Sequence, residues 1–213
     1  MVVIDPPPPA RSVVPRFVTL PISTTLVRIF NPTRFATTAL TFRANGPRAR
    51  FDHHNGSVPD RHPRDDPQRS MYYAAWSNDL AEALSSSVVE VFGDTGKVIL
   101  EDFVVALPTT IRAVQLLDLR GRSAMRAGTV AAIAKCPHGL SQPWSRYFYE
   151  HPDVYGTMAG LLYLNAHNDE PAVMLYDRAG DALHCPDRQI IELRDERLRH
   201  LLIDIIEANN LTL

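Results

Sequence analysis

The stretch RSMYYAAWSNDLAEALSSSVVEVFG, residues 69–93, predicts a β-strand that is followed directly by an α-helix. The part SMYYAAW is short, aromatic and apolar, as is typical of a strand. Asn78 is of a residue type that caps helix N-termini, and Gly93 is of a type that follows helix ends. The predicted helix therefore runs from a cap at Asn78 to about Phe92.

One glutamate of this helix, Glu90, lies at the border of the apolar face. The apolar side of the helical wheel consists of Leu80, Leu84, Val88 and Val91. Glu82 lies on the opposite side and is expected to be solvated. The residues three, four and seven positions before Glu90 are small, namely Ser87, Ser86 and Ala83. Because a carboxylate at the edge of a core is costly unless it is paired or used, Glu90 is either paired with an arginine or functional.

Further apolar runs predict strands and helices in an irregular order. The predicted strands are TLVRIFN (25–31), VILEDFVVAL (98–107), VQLLDL (114–119), GLLYLN (160–165) and AVMLYDR (172–178). The predicted helices cover 123–135, the segment SQPWSRYFYEH (141–151), and a C-terminal amphipathic segment that contains Leu198, Leu201, Leu202 and Ile205. This order favours an α+β fold, with a compact mixed sheet and flanking helices, over a doubly wound sheet.

The N-terminus and one internal segment differ from the rest of the chain. Residues 1–21 contain six prolines and predict an extended tail or edging strap, which leaves a single domain at 22–213. Residues 52–70 are polar and turn-rich, and predict a long solvated loop or a lid. The histidines and aspartates of this loop match no structural zinc spacing; they are His53, His54, His62, Asp52, Asp60, Asp65 and Asp66.

The composition limits the classes of partner. With 22 basic and 24 acidic residues among 213, nothing calls for direct nucleic-acid binding or for an anionic membrane. No apolar run approaches the roughly 20 residues of a membrane span, and the first residues lack the pattern of a secretion signal. The two cysteines do not form the framework of a small secreted domain. A cytoplasmic protein is expected.

Six segments, taken in order, resemble the RES domain, a family of bacterial toxins that degrade NAD. They are TLVRIFN, GPRARFDHH, RSMYYAAW, SSVVEVFGDTG, LLDLRG and GLLYLN, and they extend over about residues 25–180. The resemblance rests on their shared order, since no single segment is specific. It implies a fold related to that of ADP-ribosyltransferases.

The resemblance also implies site residues. The family's arginine in a Gly-Arg-Phe-like turn falls on Arg50, its tyrosine on Tyr73 with Tyr72 as the alternative, and its glutamate on Glu90. The residues implied in catalysis are Glu90, Arg50 and Tyr73, and those implied in substrate binding are Arg28, Tyr72 and Asn165.

Two features depart from the family's pattern. Asn165 stands where the family has a serine, and its amide offers both a donor and an acceptor in exchange. The stretch from Tyr73 to Glu90 is longer than in compact members, which leaves Glu82 as a rival glutamate. As structural residues, Arg50 would instead anchor the long loop, Tyr73 would be a core aromatic, and Asn165 would start a turn.

The chemistry that the resemblance implies is cleavage of the bond between nicotinamide and ribose in NAD. The transition state resembles an oxocarbenium ion, whose charge a carboxylate at Glu90 would stabilise. Tyr73 would hold the nicotinamide ring, and the planar forks of Arg28 and Arg50 would bind the pyrophosphate. Water or phosphate would accept the ADP-ribosyl group, with transfer to a protein as the alternative, and no metal is required.

The resemblance implies two partners: NAD, and an Xre-like helix-turn-helix antitoxin that covers the mouth of the active site. A homodimer is left open. Two other functions also stay open at this point. One is a catalytically impaired nucleotide-binding protein on the same fold, suggested by Asn165. The other is a metal-dependent hydrolase built on the histidine loop.

Overall fold

The structure, a computed structural model, describes residues 3–55 and 63–213. In this part of the chain the strands are β1 (Phe17–Leu20), β2 (Arg28–Phe30), β3 (Asn45–Gly46), β4 (Arg64–Asp65), β5 (Met71–Ala75), β6 (Val104–Ala106), β7 (Thr109–Thr110), β8 (Val114–Asp118), β9 (Gly160–Leu164), β10 (Pro171–Tyr176), β11 (Leu183–His184) and β12 (Ile190–Glu192). The α-helices are α1 (Leu80–Phe92), α2 (Arg122–Arg126), α3 (His138–Glu150), α4 (Pro152–Tyr155) and α5 (Arg199–Ala208). None of these helices has the length and apolar character needed to cross a bilayer.

The largest sheet has the strand order β1-β8-β9-β10-β5. Only β8 and β9 are parallel, and the other neighbours are antiparallel. A three-stranded sheet, β12-β6-β2, lies next to β5, because Val27 immediately before β2 bridges to Ala75. The mixed sheet and the helices around it confirm the predicted α+β class.

The two faces of the largest sheet are buried under different elements. Alternate residues of β5 face opposite sides, so Tyr72 and Tyr73 lie in different cores. The face that carries Tyr73 packs with α3 through Trp144 and Phe148. A separate core joins α1 and α5 to β2 and β6, and Val88 of α1 is fully buried in it. Helix α1 therefore packs against α5 and the three-stranded sheet, and it also contacts β5 and β10 of the largest sheet.

Several predicted boundaries are wrong for local reasons. Asp79, not Asn78, caps α1, since its carboxylate accepts from the backbone N–H of Ala81 at 2.9 Å. The predicted strand at 98–107 is reduced to β6, because Asp102 adopts a left-handed conformation with φ of 62°. The predicted helix at 123–135 is split into α2 and a 3₁₀ turn, and Gly128, with φ of 94°, lies between them. Helix α3 begins at His138 rather than at residue 141.

The N-terminal segment runs along the surface of the domain. The indole N–H of Trp144 donates to the backbone oxygen of Asp5 at 2.8 Å, and Val14 donates to the backbone oxygen of Arg126 at 2.9 Å. Ile4 and Val13 pack against the core that contains Trp144. Residues 3–16 therefore contact the domain as a strap.

Strand β9 begins at Gly160, where a glycine is required because the backbone of the neighbouring strand β10 lies very close. A Cβ atom at this position would lie 2.1 Å from the carbonyl oxygen of Met174 on the neighbouring strand. We expect Gly160→Ala to lower the free energy of unfolding by about 1–3 kcal/mol, because backbone must move to accommodate the methyl group. Urea denaturation measures this change. The exposed control Thr157→Ala is expected to stay within about 0.5 kcal/mol of the original protein, and equal stability of both variants would contradict the prediction.

Candidate active site

A cavity of about 840 Å³ opens between α1, the edge of β5 and the segment 35–50. Its volume lies within the range of about 300–1,000 Å³ that is typical of small-molecule sites. Four of the residues predicted from the sequence line it, namely Arg28, Arg50, Tyr73 and Glu90. The cavity is therefore the candidate site.

The cavity forms where the edge of β5 lacks a continuous partner strand. Val27 exchanges two backbone hydrogen bonds with Ala75 (2.9 and 2.8 Å), and Arg43 exchanges two with Met71 (2.8 and 3.1 Å). Every second residue of a strand directs its N–H and carbonyl groups to the same edge, so those of Tyr73 point to the same edge as those of Met71 and Ala75. In the part of the chain that the structure describes, no backbone group forms a hydrogen bond with Tyr73 at this edge. The two segments that pair with β5 separate at Tyr73 and leave an opening.

Small side chains on the sheet make this opening deep. Tyr163 of β9, Ala172 of β10 and Ala75 of β5 are cross-strand neighbours in one row, and all three line the cavity. Residues in register on neighbouring strands face the same side. The two alanines therefore leave space beside the Tyr163 ring, and this row forms the cavity floor.

Glu90 reaches the cavity from α1. Its side chain is accessible to solvent through the cavity mouth, but the surrounding protein desolvates the carboxylate and raises its pKa to about 6. Asp94 also raises this pKa, whereas Arg50 opposes the rise. The rival Glu82 lies on the exposed side of α1 outside the cavity, where it accepts a hydrogen bond from the Ser77 hydroxyl.

The small residues before Glu90 bring α1 close to the sheets. Ser87 accepts a hydrogen bond from the backbone N–H of Ile29 at 3.1 Å, and Ser86 donates to the backbone oxygen of Pro171 at 3.0 Å. Both serines are buried. Helix α1 is thus hydrogen-bonded to β2 and β10, and Glu90 lies one turn beyond these contacts.

Arginine side chains give the cavity an anion-binding character. Arg43 is paired with Asp52 at 2.8 Å, but Arg28, Arg48 and Arg50 have no carboxylate within 4 Å in the described part of the chain. Arg50 is held by a hydrogen bond to the backbone oxygen of Cys136. Guanidinium groups without a carboxylate partner are suited to bind phosphate oxygens.

Arg28 is fixed at the same cavity by a carbonyl group and an aromatic ring. It donates to the backbone oxygen of Thr41 at 2.8 Å, and its guanidinium carbon lies 4.4 Å from the centre of the Tyr72 ring. Tyr72 itself does not line the cavity. It is buried on the other face of the sheet and donates from its hydroxyl to the backbone oxygen of Ala39. Sequence reasoning had placed Tyr72 at the substrate, whereas the structure places it beneath Arg28.

Asp52 organises the segment that carries these arginines. Its buried carboxylate accepts hydrogen bonds from the Arg43 guanidinium, from the backbone N–H groups of Arg48 and Ala49 at 2.5 and 2.9 Å, and from the Tyr73 hydroxyl at 2.8 Å. The prediction of a solvated histidine loop, to which this aspartate belongs, is wrong for residues 52–54, because they are buried. The carboxylate ties the loop to β5 and so positions Arg48 and Arg50.

The two tyrosines of the cavity have different hydroxyl environments. The Tyr73 hydroxyl is engaged with Asp52, so this residue presents mainly its ring. The Tyr163 hydroxyl has no hydrogen-bond partner among the described residues, and its ring packs edge-on against Phe51 at 4.8 Å. Burial first, and then the negative charge of Glu90, raise the pKa of Tyr163 well above its usual range. Tyr163 therefore remains a neutral donor, and sequence reasoning did not identify it.

Asn165 is not brought to the cavity. It is fully buried at the start of the β9–β10 turn, where its side-chain oxygen accepts from the backbone N–H groups of His167 and Asn168, each at 2.9 Å. Its amide nitrogen donates to Ser86 of α1 at 3.0 Å. The expectation that Asn165 contributes to the substrate site together with Glu90 is therefore wrong. Asn165 instead starts a turn, as the structural alternative predicts.

The two histidines of the predicted loop that the structure describes, His53 and His54, have separate environments. His53 is buried between the rings of Tyr149 and Tyr176, and burial followed by the charge of Arg69 lowers its pKa to about 2. The Nε2 atom of His54 lies 2.7 Å from the backbone oxygen of Ala44. His62 and Asp60 lie outside the described residues. Within residues 3–55 and 63–213, no cluster of three histidine, cysteine or acidic side chains is arranged to hold a metal ion.

Comparison with protein families gives one match. A family model described as RES domain matches residues 25–198, a range that contains all the residues lining the cavity. Searches of curated proteins and of solved structures found no match.

Asp52→Asn is expected to lower the free energy of unfolding by about 2–4 kcal/mol, because it removes the charge opposite Arg43 and leaves buried donors without a full acceptor. Denaturant titration checks this. Asp181→Asn is a matched control, since Asp181 also pairs with an arginine but its side chain is 77% exposed; a much smaller change in the free energy of unfolding is expected there. Equal midpoints for the two variants would show that Asp52 does not hold the segment together.

Proposed function

The chain belongs to the RES domain family, and from this premise we propose that it is an enzyme that cleaves the nicotinamide–ribose bond of NAD. The observation that carries the proposal is the presence, in one cavity, of a partly desolvated carboxylate and several arginines without carboxylate partners. A dinucleotide requires both features, because its pyrophosphate is anionic while its reacting ribose becomes cationic.

In the proposed reaction the bond between the ribose C1′ atom and the pyridine nitrogen breaks, and the electron pair leaves with neutral nicotinamide. The positive charge that develops on the ribose is stabilised by the carboxylate of Glu90. Water or phosphate then bonds to C1′, and the proton that an attacking water loses passes to Glu90 or to solvent. Arg28, Arg48 and Arg50 bind the pyrophosphate, and the Tyr73 ring supports the nicotinamide.

The placement of Asn165 bears on the rival function, an impaired binding protein. The sequence suggested impairment because Asn165 replaces the family's serine. Its amide is engaged in a buried turn, and Asn165 itself does not line the cavity. This supports the enzyme over the binding protein. A cytoplasmic toxin, held by an Xre-like antitoxin at the cavity mouth, is the physiological role that we propose for this activity.

The direct test is release of nicotinamide from NAD by the purified protein, measured by chromatography with and without phosphate and with and without a chelator. Glu90→Gln is expected to reduce the rate at least about 100-fold, because a fixed charge opposite the developing cation is lost. Glu82→Gln, on the same helix but outside the cavity, is the matched control and is expected to retain activity.

The products identify the acceptor, since phosphate gives ADP-ribose phosphate and water gives ADP-ribose. An unchanged rate with chelator is expected, whereas its loss would favour the metal-dependent hydrolase. Binding of NAD without turnover would favour the impaired binding protein. Expression of the original protein, but not of Glu90→Gln, is expected to lower cellular NAD and arrest growth.

The pH dependence follows from the pKa of Glu90. The carboxylate form is required, and its pKa is raised to about 6, so kcat/KM is expected to rise with pH and to reach half its maximum near pH 6 rather than near 4.5. Asp94→Asn removes a negative charge that raises this pKa, so the midpoint is expected to move to lower pH. A rate that is constant between pH 5 and 7 would contradict the assignment of Glu90.

A further inference from the structure

Phe35 is an exposed aromatic side chain at the mouth of the cavity. It lines the same cavity as Glu90 and Tyr163, yet 92% of its surface is accessible to solvent. In the part of the chain that the structure describes, its ring packs into none of the hydrophobic clusters. A large apolar ring that contacts water on nearly all sides is unfavourable in the free protein, and this ring forms part of the lining of the candidate site.

The backbone holds this ring at the mouth without help from the ring itself. Phe35 and Ala36 both adopt left-handed conformations, with φ of 58° and 50°, which non-glycine residues rarely do. The loop is closed by hydrogen bonds from Arg34 to Asn31 and from Thr37 to Arg34, each of 3.2 Å. The conformation is thus imposed by the loop.

The C-terminal end of the same loop is hydrogen-bonded to Tyr72 and Arg28. The Tyr72 hydroxyl donates to the backbone oxygen of Ala39 at 2.9 Å, and Arg28 donates to that of Thr41 at 2.8 Å. Arg28 is also one of the arginines proposed to bind pyrophosphate. The chain segment that follows Phe35 is therefore held by a residue of the anion-binding part of the cavity.

The cavity has two ends of different character. Its floor, on the sheet, holds Tyr163, which is 3% exposed, beside Tyr73 and near Glu90. Its mouth holds Phe35. A dinucleotide whose reacting ribose is bound at the floor would have to extend its other half toward the mouth. There the ring of Phe35 would offer a flat aromatic face to its base.

We propose that Phe35 is the stacking platform for the adenine base of the dinucleotide. This inference rests on the proposed function, and it adds a second aromatic subsite to it. Because every base has a π-face, stacking of this kind tolerates changes of the base. Phe35 would then recognise the adenine half by its shape and its apolar surface. It would discriminate only weakly between bases that differ in the polar groups of their edges.

The test compares NAD with nicotinamide mononucleotide, which has the reacting bond but no adenine. For Phe35→Ala, kcat/KM for NAD is expected to fall about tenfold through a higher KM, because one stacking contact is lost. The value for nicotinamide mononucleotide is expected to change less than about twofold, since that substrate does not reach Phe35. Phe35→Trp is expected to keep the NAD value, and the hypoxanthine analogue of NAD is expected to react nearly as well as NAD.

Phe35 is exposed, so Phe35→Ala is expected to fold normally, and Ile111→Ala serves as an exposed apolar control outside the cavity. Unchanged kinetics of Phe35→Ala with both substrates would overturn the inference while leaving the NAD activity intact, and would leave Phe35 as a contact for a protein. An equal loss with both substrates would also overturn it. If the original protein releases no nicotinamide, the proposed function fails. Calorimetric binding of ADP-ribose then tests the subsite on its own. Weaker binding to Phe35→Ala than to the original protein supports the subsite, and equal binding overturns it.

Discussion

The carboxylate of Asp52 is the interaction on which the candidate site depends. The edge of β5 is paired at both ends but open at Tyr73, and the chain that crosses this opening must be held without a strand ladder. Asp52 supplies that hold by accepting from Arg43, from the loop backbone and from the Tyr73 hydroxyl. A buried carboxylate is stable only when it is paired and hydrogen-bonded, as this one is. The same contacts that satisfy it also fix the arginine-bearing loop over the cavity.

Electrostatic balance in the cavity follows from this arrangement. Asp52 neutralises Arg43, whereas Arg28, Arg48 and Arg50 have no carboxylate partner nearby in the described residues. The carboxylate of Glu90 is near enough to Arg50 for that charge to oppose the rise of its pKa, but desolvation by the surrounding protein is the larger effect. The cavity thus combines a carboxylate that ionises near pH 6 with cationic groups available to phosphate. In the proposed reaction these two features act on different parts of one dinucleotide.

Local patterns in the sequence predicted the elements, and the resemblance predicted four residues of the cavity. The strand at 71–75 and the helix that ends at Phe92 follow from local composition, so their existence was predicted while the cap was misplaced by one residue. Asp52 and Tyr163 were missed because their importance depends on contacts between distant segments. Nothing in GLLYLN shows which face of β9 meets an open strand edge. Tyr72 and Tyr73 could not be distinguished for the same reason, since one residue of register decides which core each side chain enters.

The position of Asn165 shows how a departure from the family's pattern acts through structure. Its side chain closes the β9–β10 turn and also donates to Ser86, which in turn donates to Pro171 at the start of β10. Ser86 precedes Glu90 by one helical turn. The amide therefore links the β9–β10 turn to α1 one helical turn before Glu90. In the proposed enzyme, Asn165 would act on the site through the orientation of the helix that carries Glu90, and not through contact with the substrate.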